Sequence, residues 1–453
     1  MTHLAHDPTK QPDGRTALEL GRVLPHTASV NEEGHLCVGG IDLVKFARRE
    51  GTALYVMDDD DVRMRLRRYR KSLENSGLDA QLVYAGKAFL TRYMAQLVNE
   101  EGAWLDVSSG GELHLALAAG FPAAHIIEHG NNKTPSELAE AIDAKVGRIA
   151  VDCFEELERL DVLAAERGCV QPIVLRLKPE VIADTHEFVV TGAVDSKFGF
   201  GISDGAALQA VLRARQLKHL DLKGLHVHIG SQIFAVDSYA RTIETVIAFI
   251  VLLRDEYGLL FEEFNLGGGL GIAYMPDDEP VATEEFIADC VSRLKELCAA
   301  HGLPLPRFFV EPGRSIVANA GVTLYTVGAI KDLPGVRTYV AIDGGMTDNI
   351  RTVLYDAHYE AVIANKAALP RTRIVTLAGK HCESGDVVAI DTALQAPEAG
   401  DIVCVFGTGA YCYTMASNYN KQPRPAVFFV RDGRERLVVR RETYDDLLNC
   451  DII

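Results

Sequence analysis

Eight short apolar runs recur between residues 82 and 310, and segments of helical periodicity separate them. Short apolar runs bounded by turn residues are typical of buried parallel strands. Eight strands that alternate with helices over this length predict a (β/α)8 barrel, with a doubly wound open sheet as the alternative. Reactive side chains at the ends of several runs favour closure, because barrels keep active sites at the carboxyl ends of their strands. The predicted barrel strands are 82–85, 104–107, 126–129, 149–151, 172–177, 223–229, 263–266 and 307–310.

Beyond about residue 320, strand-like runs follow one another without long helices between them. Glycine-containing turns separate these runs, so a C-terminal β-domain is predicted, which N-terminal runs at 36–38, 41–44 and 53–57 complete. The predicted C-terminal strands are 322–327, 338–342, 373–377, 387–390, 401–406 and 426–430. The predicted organisation is a flexible tail at 1–15, N-terminal strands of the β-domain at 16–57, the barrel at 58–320 and the C-terminal β-domain at 321–453.

Composition narrows the possible partners. The net charge of −17 argues against nucleic acid or an anionic membrane as the main partner. Nine scattered cysteines without CxxC spacing offer no metal site and indicate reduced thiols and a cytoplasmic location. No apolar run approaches the roughly 20 residues that span a bilayer, and the polar N-terminus lacks the apolar core of a secretion signal.

Lys87 follows the first barrel strand directly, in the stretch Tyr84-Ala-Gly-Lys-Ala-Phe89. A helix is predicted at 91–100, so this lysine lies at a strand end and would face the barrel mouth. A solvated loop lysine is the ordinary interpretation of such a residue taken alone. Its role therefore depends on the chemistry at the other strand ends.

The sixth barrel strand carries His226 and His228, followed by the turn Gly230-Ser231. Side chains alternate along a strand, so the two imidazoles share a face. His-x-His is a familiar metal pair, but we expect no further histidines at strand ends to complete a zinc site. The other interpretation is an imidazole packed on a flat cofactor ring, with a phosphate bound at the Gly-Ser turn. A core histidine remains the alternative, above all for His226.

The seventh strand ends in Asn265-Leu-Gly-Gly-Gly-Leu-Gly271. Consecutive glycines let backbone N–H groups approach an anion closely. The spacing matches neither the dinucleotide fingerprint nor a Walker loop. A phosphate site is usual near strands seven and eight of a barrel, and a tight turn is the alternative.

The eighth strand leads into Glu311-Pro-Gly-Arg314. A carboxylate that leaves an apolar strand is costly to bury unless it meets a donor, and a protonated pyridine nitrogen is such a donor. The planar fork of Arg314 suits phosphate or carboxylate. A lysine, a ring-packing histidine, a phosphate cradle and an acid for a ring nitrogen together predict a pyridoxal phosphate site.

The chain then resembles the barrel-type pyridoxal-phosphate decarboxylases, the family that acts on ornithine, arginine and diaminopimelate. The resemblance covers nearly everything from Leu54 onward, and the diaminopimelate branch matches best. It implies an alanine-racemase-like barrel with a β-domain, and a homodimer with shared active sites. Gly86 departs from the family's usual valine, so we expect a slightly looser strand end. The motifs are Tyr84–Phe89, Asp106–Glu112, His226–Gln232, Gly267–Gly271, Glu311–Arg314, Cys382–Asp386 and Gly409–Tyr411.

Carried onto this sequence, the resemblance implies that Lys87 binds the cofactor covalently, His228 packs on its ring and Glu311 pairs with its ring nitrogen. It also implies that Cys382 and Glu383 reach the active site of the partner chain. The cofactor phosphate would be held by Ser231, Gly268, Gly269, Gly313 and Arg314. The substrate would be contacted by Arg314, Arg351, Tyr355, Glu383 and Tyr411, the last of which also touches the cofactor.

The chemistry of decarboxylation requires such groups. Loss of CO2 leaves a carbanion that a protonated ring stabilises and a positioned acid reprotonates. The resemblance implies Cys382 as that acid, and a buried apolar cysteine without a catalytic role is the alternative. Arg351 and Tyr355 share a helical face and, with Glu383, suit the distal zwitterion of diaminopimelate, although a solvated arginine is the alternative.

The resemblance therefore implies decarboxylation of meso-2,6-diaminopimelate to L-lysine and CO2, the last step of lysine biosynthesis. Three alternatives remain open: a decarboxylase of ornithine, arginine or carboxynorspermidine, a pyridoxal-phosphate racemase on the same architecture, and a catalytically silent binding paralogue.

Overall fold

The computed structural model describes residues 7, 9–181 and 196–453. The chain forms two compact units. The β-unit comprises Met1–Met64, Ile272–Glu279 and Ser315–Ile453, and the barrel unit comprises Arg65–Gly271 and Pro280–Arg314. The boundaries predicted from the sequence stay predictions. Across the described residues, no helix has the length and apolar character needed to span a membrane.

The strands in the described part of the chain fall into three sheets. In chain order they are β1 (Ser29–Val30), β2 (Leu36–Val38), β3 (Ile41–Asp42), β4 (Leu54–Asp58), β5 (Ala80–Ala85), β6 (Trp104–Val107), β7 (Ile126–Glu128), β8 (Arg148–Val151), β9 (Gln171–Lys178), β10 (Phe200–Gly201), β11 (Leu220–Val227), β12 (Glu263–Asn265), β13 (Arg307–Val310), β14 (Gly321–Leu333), β15 (Arg337–Ile342), β16 (Ala361–Ile363), β17 (Arg373–Ala378), β18 (Val387–Leu394), β19 (Ile402–Phe406), β20 (Ala426–Arg431) and β21 (Arg434–Val439).

Helices connect most of these strands in the barrel unit and are short in the β-unit. The α-helices are α1 (Leu43–Glu50), α2 (Asp59–Asn75), α3 (Arg92–Glu100), α4 (Gly110–Ala118), α5 (Pro135–Ala144), α6 (Phe154–Glu166), α7 (Ala206–Ala214), α8 (Val236–Tyr257), α9 (Thr283–His301), α10 (Arg314–Val317) and α11 (Arg351–Tyr355). Short 3-10 helices lie at Leu18–Val23, Gly86–Ala88, Ala123–His125, Ala364–Lys366, Tyr413–Met415, Tyr419–Lys421 and Asp446–Leu448.

Eight parallel strands of the barrel unit close into a ring. Their order is β5, β6, β7, β8, β9, β11, β12, β13, with β8 paired to β9 and β13 paired back to β5. The short β10 pairs outside the ring with β9. The prediction of a closed barrel is confirmed, and each predicted strand lies within three residues of the observed one.

Side-chain alternation explains how the barrel places functional groups at one end. Val83, Trp104, Ile127 and Phe309 form a buried cluster contributed by β5, β6, β7 and β13. Residues two positions further along a strand point to the same side. Next in register toward the carboxyl ends come Ala85, Asp106, His129 and Glu311. The apolar layer therefore gives way to a polar layer at the end where barrel active sites lie.

Helix caps fix where several barrel-unit helices begin. The Thr91 side chain accepts a hydrogen bond from Met94 N at the start of α3. Thr134 and Glu137 form the predicted capping box at the start of α5, with Pro135 at the first helical position. These caps satisfy amide donors that a helix leaves unpaired at its first turn.

The β-unit is built on a sheet with the order β18-β17-β15-β14-β4-β20-β21. β4 from the N-terminal part of the chain lies between β14 and β20, antiparallel to the first and parallel to the second. β19 pairs with both β14 and β16, while β1, β2 and β3 form a separate small sheet. Apolar side chains of β2, β4, β14, β16, β19 and β20 share one buried core with those of α1.

One predicted strand of the N-terminal region differs from expectation. The predicted strand 41–44 is wrong after Asp42, because the Asp42 side chain accepts hydrogen bonds from Val44 N and Lys45 N and starts α1. At the end of the predicted tail, Gly14 N donates to Arg371 O, and the Asp13 carboxylate accepts from the Arg371 guanidinium. These bonds attach that part of the segment to the β-unit.

Candidate active site

A cavity of about 240 Å³ lies within the barrel unit, where the carboxyl ends of the strands meet. It brings together the predicted residues Lys87, His228 and Glu311, which together span more than 200 positions of the sequence. The described residues that line it are Lys87, Ser108, His129, Gly130, Asn131, Arg176, Phe198, His226, His228 and Glu311.

The Glu311 carboxylate is held in the cavity by three other side chains. His129 Nε2 lies 3.0 Å from Glu311 Oε1, and His226 Nε2 lies 3.0 Å from Glu311 Oε2. Asn265 Nδ2 donates to Glu311 Oε1 at 2.6 Å. Asn265 is itself oriented, because its side-chain oxygen accepts from Gly267 N. Three side chains from three strand ends therefore hold one buried carboxylate.

This network fixes the charge of the carboxylate. Burial raises the pKa of Glu311, but the charge of His129 and the hydrogen bonds from His129 and His226 outweigh burial and hold that pKa well below its usual range. Burial lowers the pKa of His226 to about 4, so His226 is neutral and donates through Nε2. Burial also lowers the pKa of His129, yet the charges of Glu311 and Asp106 outweigh it and raise the pKa overall.

Lys87 lies in the turn Gly86–Ala88 directly after β5, as the sequence predicts. Its charge affects the pKa of several neighbours, among them Asp106 and His228. The pKa of the Asp106 carboxyl is raised by burial, although His129 and Lys87 oppose that shift. The pKa of His228 lies well below its ordinary value because of burial first and the Lys87 charge second. The His228 ring is therefore uncharged, and its Nδ1 accepts from Gly268 N at 3.3 Å.

The predicted phosphate residues form a second group beside this cavity in the barrel unit. The Arg314 guanidinium donates to Ser231 Oγ through both Nε, at 3.2 Å, and a terminal nitrogen, at 2.9 Å. A Cβ on Gly268 would lie 2.0 Å from Glu311 O, and one on Gly269 would lie 2.4 Å from Gly230 O. The glycines are required because backbone segments approach each other too closely for side chains. Gly313 is similarly enclosed by Ala85 and Ala88.

Three predicted substrate residues cluster in the β-unit. The Arg351 guanidinium lies 4.9 Å from the ring centroid of Tyr355 and 5.3 Å from that of Tyr411. Arg351 is buried, and its Nε donates to Tyr359 OH at 3.1 Å. The solvated-arginine alternative is therefore wrong. Tyr411 has a φ of +61°, a conformation that non-glycine residues adopt rarely and often at functional sites.

Cys382 and Glu383 lie in an exposed turn of the β-unit between β17 and β18. The Cys382 thiol is free and exposed, so the alternative of a buried apolar cysteine is wrong. Gly385 N donates to Glu383 Oε1 at 3.4 Å. The turn therefore presents both side chains outward from its own unit.

Sequence reasoning missed His129 and misjudged Gly86. The expectation that no further histidine lies at a strand end is wrong, because His129 follows β7 and its ring centroid lies 4.8 Å from that of His226. The position directly after a barrel strand is the signal that identifies it. At Gly86 the expected looseness is also wrong, because a Cβ would lie 2.8 Å from Asp106 O in a buried turn.

Comparison with known proteins identifies the family. Residues 59–318, more than half of the chain, match the family "Pyridoxal-dependent decarboxylase, pyridoxal binding domain". The chain belongs to this family. Among its relatives, diaminopimelate decarboxylase from Bacillus subtilis is 46% identical over 94% of this chain and 97% of the relative. That from Mycobacterium tuberculosis is 45% identical over 95% and 98%.

Solved structures agree with the sequence relatives. A diaminopimelate decarboxylase from m. jannaschii in complex with L-lysine superposes with a TM-score of 0.88, 32% identity, and coverage of 94% of this chain and 98% of that one. The cofactor of the family is pyridoxal phosphate, and the cavity fits it. An ionised carboxylate faces the cavity, a lysine lines it, and a turn of tightly packed glycines adjoins it.

Proposed function

We propose that this chain is a diaminopimelate decarboxylase, which converts meso-2,6-diaminopimelate to L-lysine and CO2. The observation that carries the proposal is the convergence of Lys87, His228 and Glu311 on one cavity. The full-length similarity to diaminopimelate decarboxylases supports the substrate. The site contains the groups that an amino-acid decarboxylase needs, namely a lysine, an ionised acid and an uncharged ring.

The barrel residues would hold pyridoxal phosphate, which when bound supplies an electron sink for the electron pair that departing CO2 leaves behind. Lys87 would hold it covalently through Nζ. The uncharged His228 would pack on its ring, and the Glu311 carboxylate would keep a proton on its ring nitrogen. The phosphate would be held by Ser231, Gly268, Gly269, Gly313 and Arg314, with a further contact to the cofactor from Tyr411.

The β-unit residues would recognise the substrate and move a proton. Arg351 is a buried cation flanked by two aromatic rings, which suits the distal carboxylate of diaminopimelate. Glu383 would bind the distal amine, with Tyr355, Tyr411 and Arg314 completing the contacts. Cys382 Sγ–H would deliver the proton to the substrate carbon that loses CO2.

The enzyme would act in the cytoplasm as a homodimer in which Cys382 and Glu383 serve the partner's active site. Free thiols in the described part of the chain, such as those of Cys37, Cys290 and Cys404, support a reducing compartment. The exposed, outward-facing turn that carries Cys382 supports a role toward another chain.

A substrate panel tests the function. Purified holoenzyme should release CO2 from meso-2,6-diaminopimelate and form L-lysine. Ornithine, arginine, lysine and carboxynorspermidine should be turned over at least about 100-fold less efficiently, because only diaminopimelate has a distal amino-acid group that matches Arg351 and Glu383. Preference for ornithine or arginine would move the chain to another branch of the family. Racemisation without CO2 would make it a racemase.

The Lys87→Ala variant tests the central residue. It should lose covalent cofactor attachment, seen as the absence of a cofactor adduct by mass spectrometry after borohydride reduction, and should lose turnover. Lys71→Ala, which removes an exposed lysine of α2, should retain both. Wild-type turnover by Lys87→Ala would refute its role, and a wild-type enzyme that binds the cofactor without any turnover would identify a silent paralogue.

A further inference from the structure

Two loops of the β-unit carry residues that the proposed function requires. The 343–350 loop follows β15 and leads directly into α11, which begins with Arg351. The 379–386 loop connects β17 to β18 and carries Cys382 and Glu383. Neither loop contains a regular helix or strand, so other interactions must fix their shape.

Asp386 joins the two loops through its carboxylate. Met346 N, in the first loop, donates to Asp386 Oδ1 at 2.6 Å. His381 N, in the second loop, donates to Asp386 Oδ2 at 2.7 Å. The Asp386 side chain is 4% exposed, so these charge-assisted bonds form out of contact with bulk water.

The backbone of Asp386 also closes its own loop. Gly379 N donates to Asp386 O at 2.8 Å, and Asp386 N donates to Glu383 O at 3.1 Å. Asp386 therefore fixes the beginning and the middle of the 379–386 loop, on either side of Cys382. The geometry of the turn follows from one residue that uses its amide, its carbonyl and both carboxylate oxygens.

Two glycines make room for the carboxylate. A Cβ on Gly345 would lie 2.4 Å from Asp386 Oδ1, and a Cβ on Gly379 would lie 2.1 Å from Asp386 Oδ2. Neither glycine has a positive φ, so close approach rather than backbone conformation requires glycine at both positions. The loops are shaped around the Asp386 carboxylate.

Further bonds tie the same two loops together. Lys380 N donates to Gly344 O at 3.0 Å, and Thr347 Oγ1 lies 2.8 Å from His381 Nε2. Thr352 Oγ1 in α11 donates to Val388 O in β18 at 2.7 Å. The network extends from the turn that bears Cys382 to the helix that bears Arg351.

We propose that Asp386 is a positioning residue for the reaction. Its carboxylate holds the turn that carries Cys382 and Glu383 against the 343–350 loop, which leads into Arg351. The inference rests on the proposed function in assigning roles to those three residues. The proposal assigns Asp386 no contact with the reacting atoms or the substrate. It acts through the loop that presents the proton donor and the acid for the distal amine.

Asp386→Asn tests the inference in the holoenzyme. The amide has a single accepting oxygen, so its NH2 group would face a backbone N–H and break one of the two loop contacts. We expect kcat/KM for diaminopimelate to fall about 10- to 100-fold, mainly through kcat, as for a reacting group displaced by about an ångström. Asp391→Asn, at an equally buried position of β18, is the matched control and should stay within about twofold of wild type.

A thiol readout separates positioning from general destabilisation. Cys382 and Cys450 are the exposed cysteines of the described chain, and Cys450 lies at the C-terminal end. The ratio of their iodoacetamide alkylation rates, measured by peptide mass spectrometry, should change at least about threefold in Asp386→Asn and not in Asp391→Asn, because thiol reactivity follows local surroundings. A folded variant whose ratio or kcat/KM matches wild type would falsify the inference.

A milder variant covers the case in which Asp386→Asn does not fold. Thr347→Val removes the Thr347–His381 contact with little change of volume and should shift the same ratio and kcat in the same direction, by a smaller factor. Unchanged values would again exclude positioning by this network. If wild-type enzyme does not decarboxylate diaminopimelate, the proposed function fails by itself, and the alkylation ratio still decides whether Asp386 sets the Cys382 turn.

Discussion

At the residue scale, the arrangement around Glu311 explains why the barrel buries an acid at the cost of its hydration. A buried carboxylate is stabilised only when donors replace water, and here His129, His226 and Asn265 supply them. The carboxylate stays ionised among these donors, because its pKa is held well below the usual range. Glu311 is therefore ionised before any ligand binds. A preorganised charge of this kind stabilises a nearby opposite charge strongly when water is excluded from the site.

Glu311→Gln should leave the cofactor bound but lower kcat about 100-fold, as is typical when one preorganised electrostatic partner is removed. A neutral amide cannot hold a proton on the ring nitrogen as a carboxylate does. The measurements are steady-state kinetics and the cofactor absorbance spectrum, whose protonation-sensitive band should shift. Glu263→Gln, which alters a buried acid of β12 paired with Arg148, should keep both values. An unchanged kcat in Glu311→Gln would remove this acid from the mechanism.

A second acid of the barrel unit, Glu128, is buried without such donors. It is the last residue of β7 and 0% exposed, and neither carboxylate oxygen has a hydrogen-bond partner among the described residues. Burial raises its pKa to about 7, with Lys133 opposing the shift. Lys133 is engaged elsewhere, since it donates to Gly130 O and Ala150 O and pairs with Glu156.

The raised pKa of Glu128 predicts a pH-dependent stability. Below the pKa that Glu128 has in the unfolded chain, the acid is neutral in both the folded and the unfolded state, and the folding stability is fully present. Between that pKa and about 7, only the unfolded chain ionises, so the folding stability falls as the pH rises. Glu128→Gln stays neutral at every pH. The variant should therefore gain up to about 3 kcal/mol relative to wild type between pH 5 and pH 8. Urea unfolding followed by the fluorescence of Trp104, the single tryptophan and a barrel residue, measures this difference.

The matched control for this pH series is Glu155→Gln, at an exposed position of α6. Its stability difference from wild type should be flat across the same range. If the Glu128→Gln difference were equally flat, a partner outside the described contacts would hold the carboxylate.

At the scale of elements, the barrel was predictable because each of its strands is short, apolar and followed by a helix. Alternation along the sixth barrel strand predicts that His226 and His228 share a face, and both line the cavity. Arg351 and Tyr355 do share one face of α11, as their spacing predicts.

The elements that escaped prediction depend on tertiary contacts. α1 begins at an aspartate cap inside an apolar run that also suits a strand. β16 has three residues and exists through its pairing with β19, and β21 is a mostly exposed strand paired with β20. His129 was missed because a histidine at a strand end is chemically informative only beside Glu311, which lies 182 positions away. The tight packing at Gly86 and Gly379 is likewise invisible to local patterns.

At the scale of the whole molecule, the chain distributes the proposed chemistry over two units. The proposed cofactor residues Lys87, His228 and Glu311 belong to the barrel unit, whereas Arg351 and Cys382 belong to the β-unit. The β-unit also takes up Ile272–Glu279, a segment that lies between two barrel elements in sequence. The sequence pattern does not predict that this segment belongs to the β-unit, because its assignment depends on contacts with residues far along the chain.

The proposed homodimer predicts a specific pattern of complementation. If Cys382 serves the partner's site, then Lys87 and Cys382 of one chain never act in the same active site. Lys87→Ala and Cys382→Ala subunits should each be nearly inactive alone, but a heterodimer of the two contains one site with both defects and one with neither. Random exchange in an equal mixture of C2 dimers should therefore restore about a quarter of wild-type activity, by counting sites. Exchange is verified by native mass spectrometry of the mixture, with Lys87→Ala mixed with itself as the control. Confirmed exchange without recovered activity would mean that Cys382 acts in its own chain's site or does not act at all.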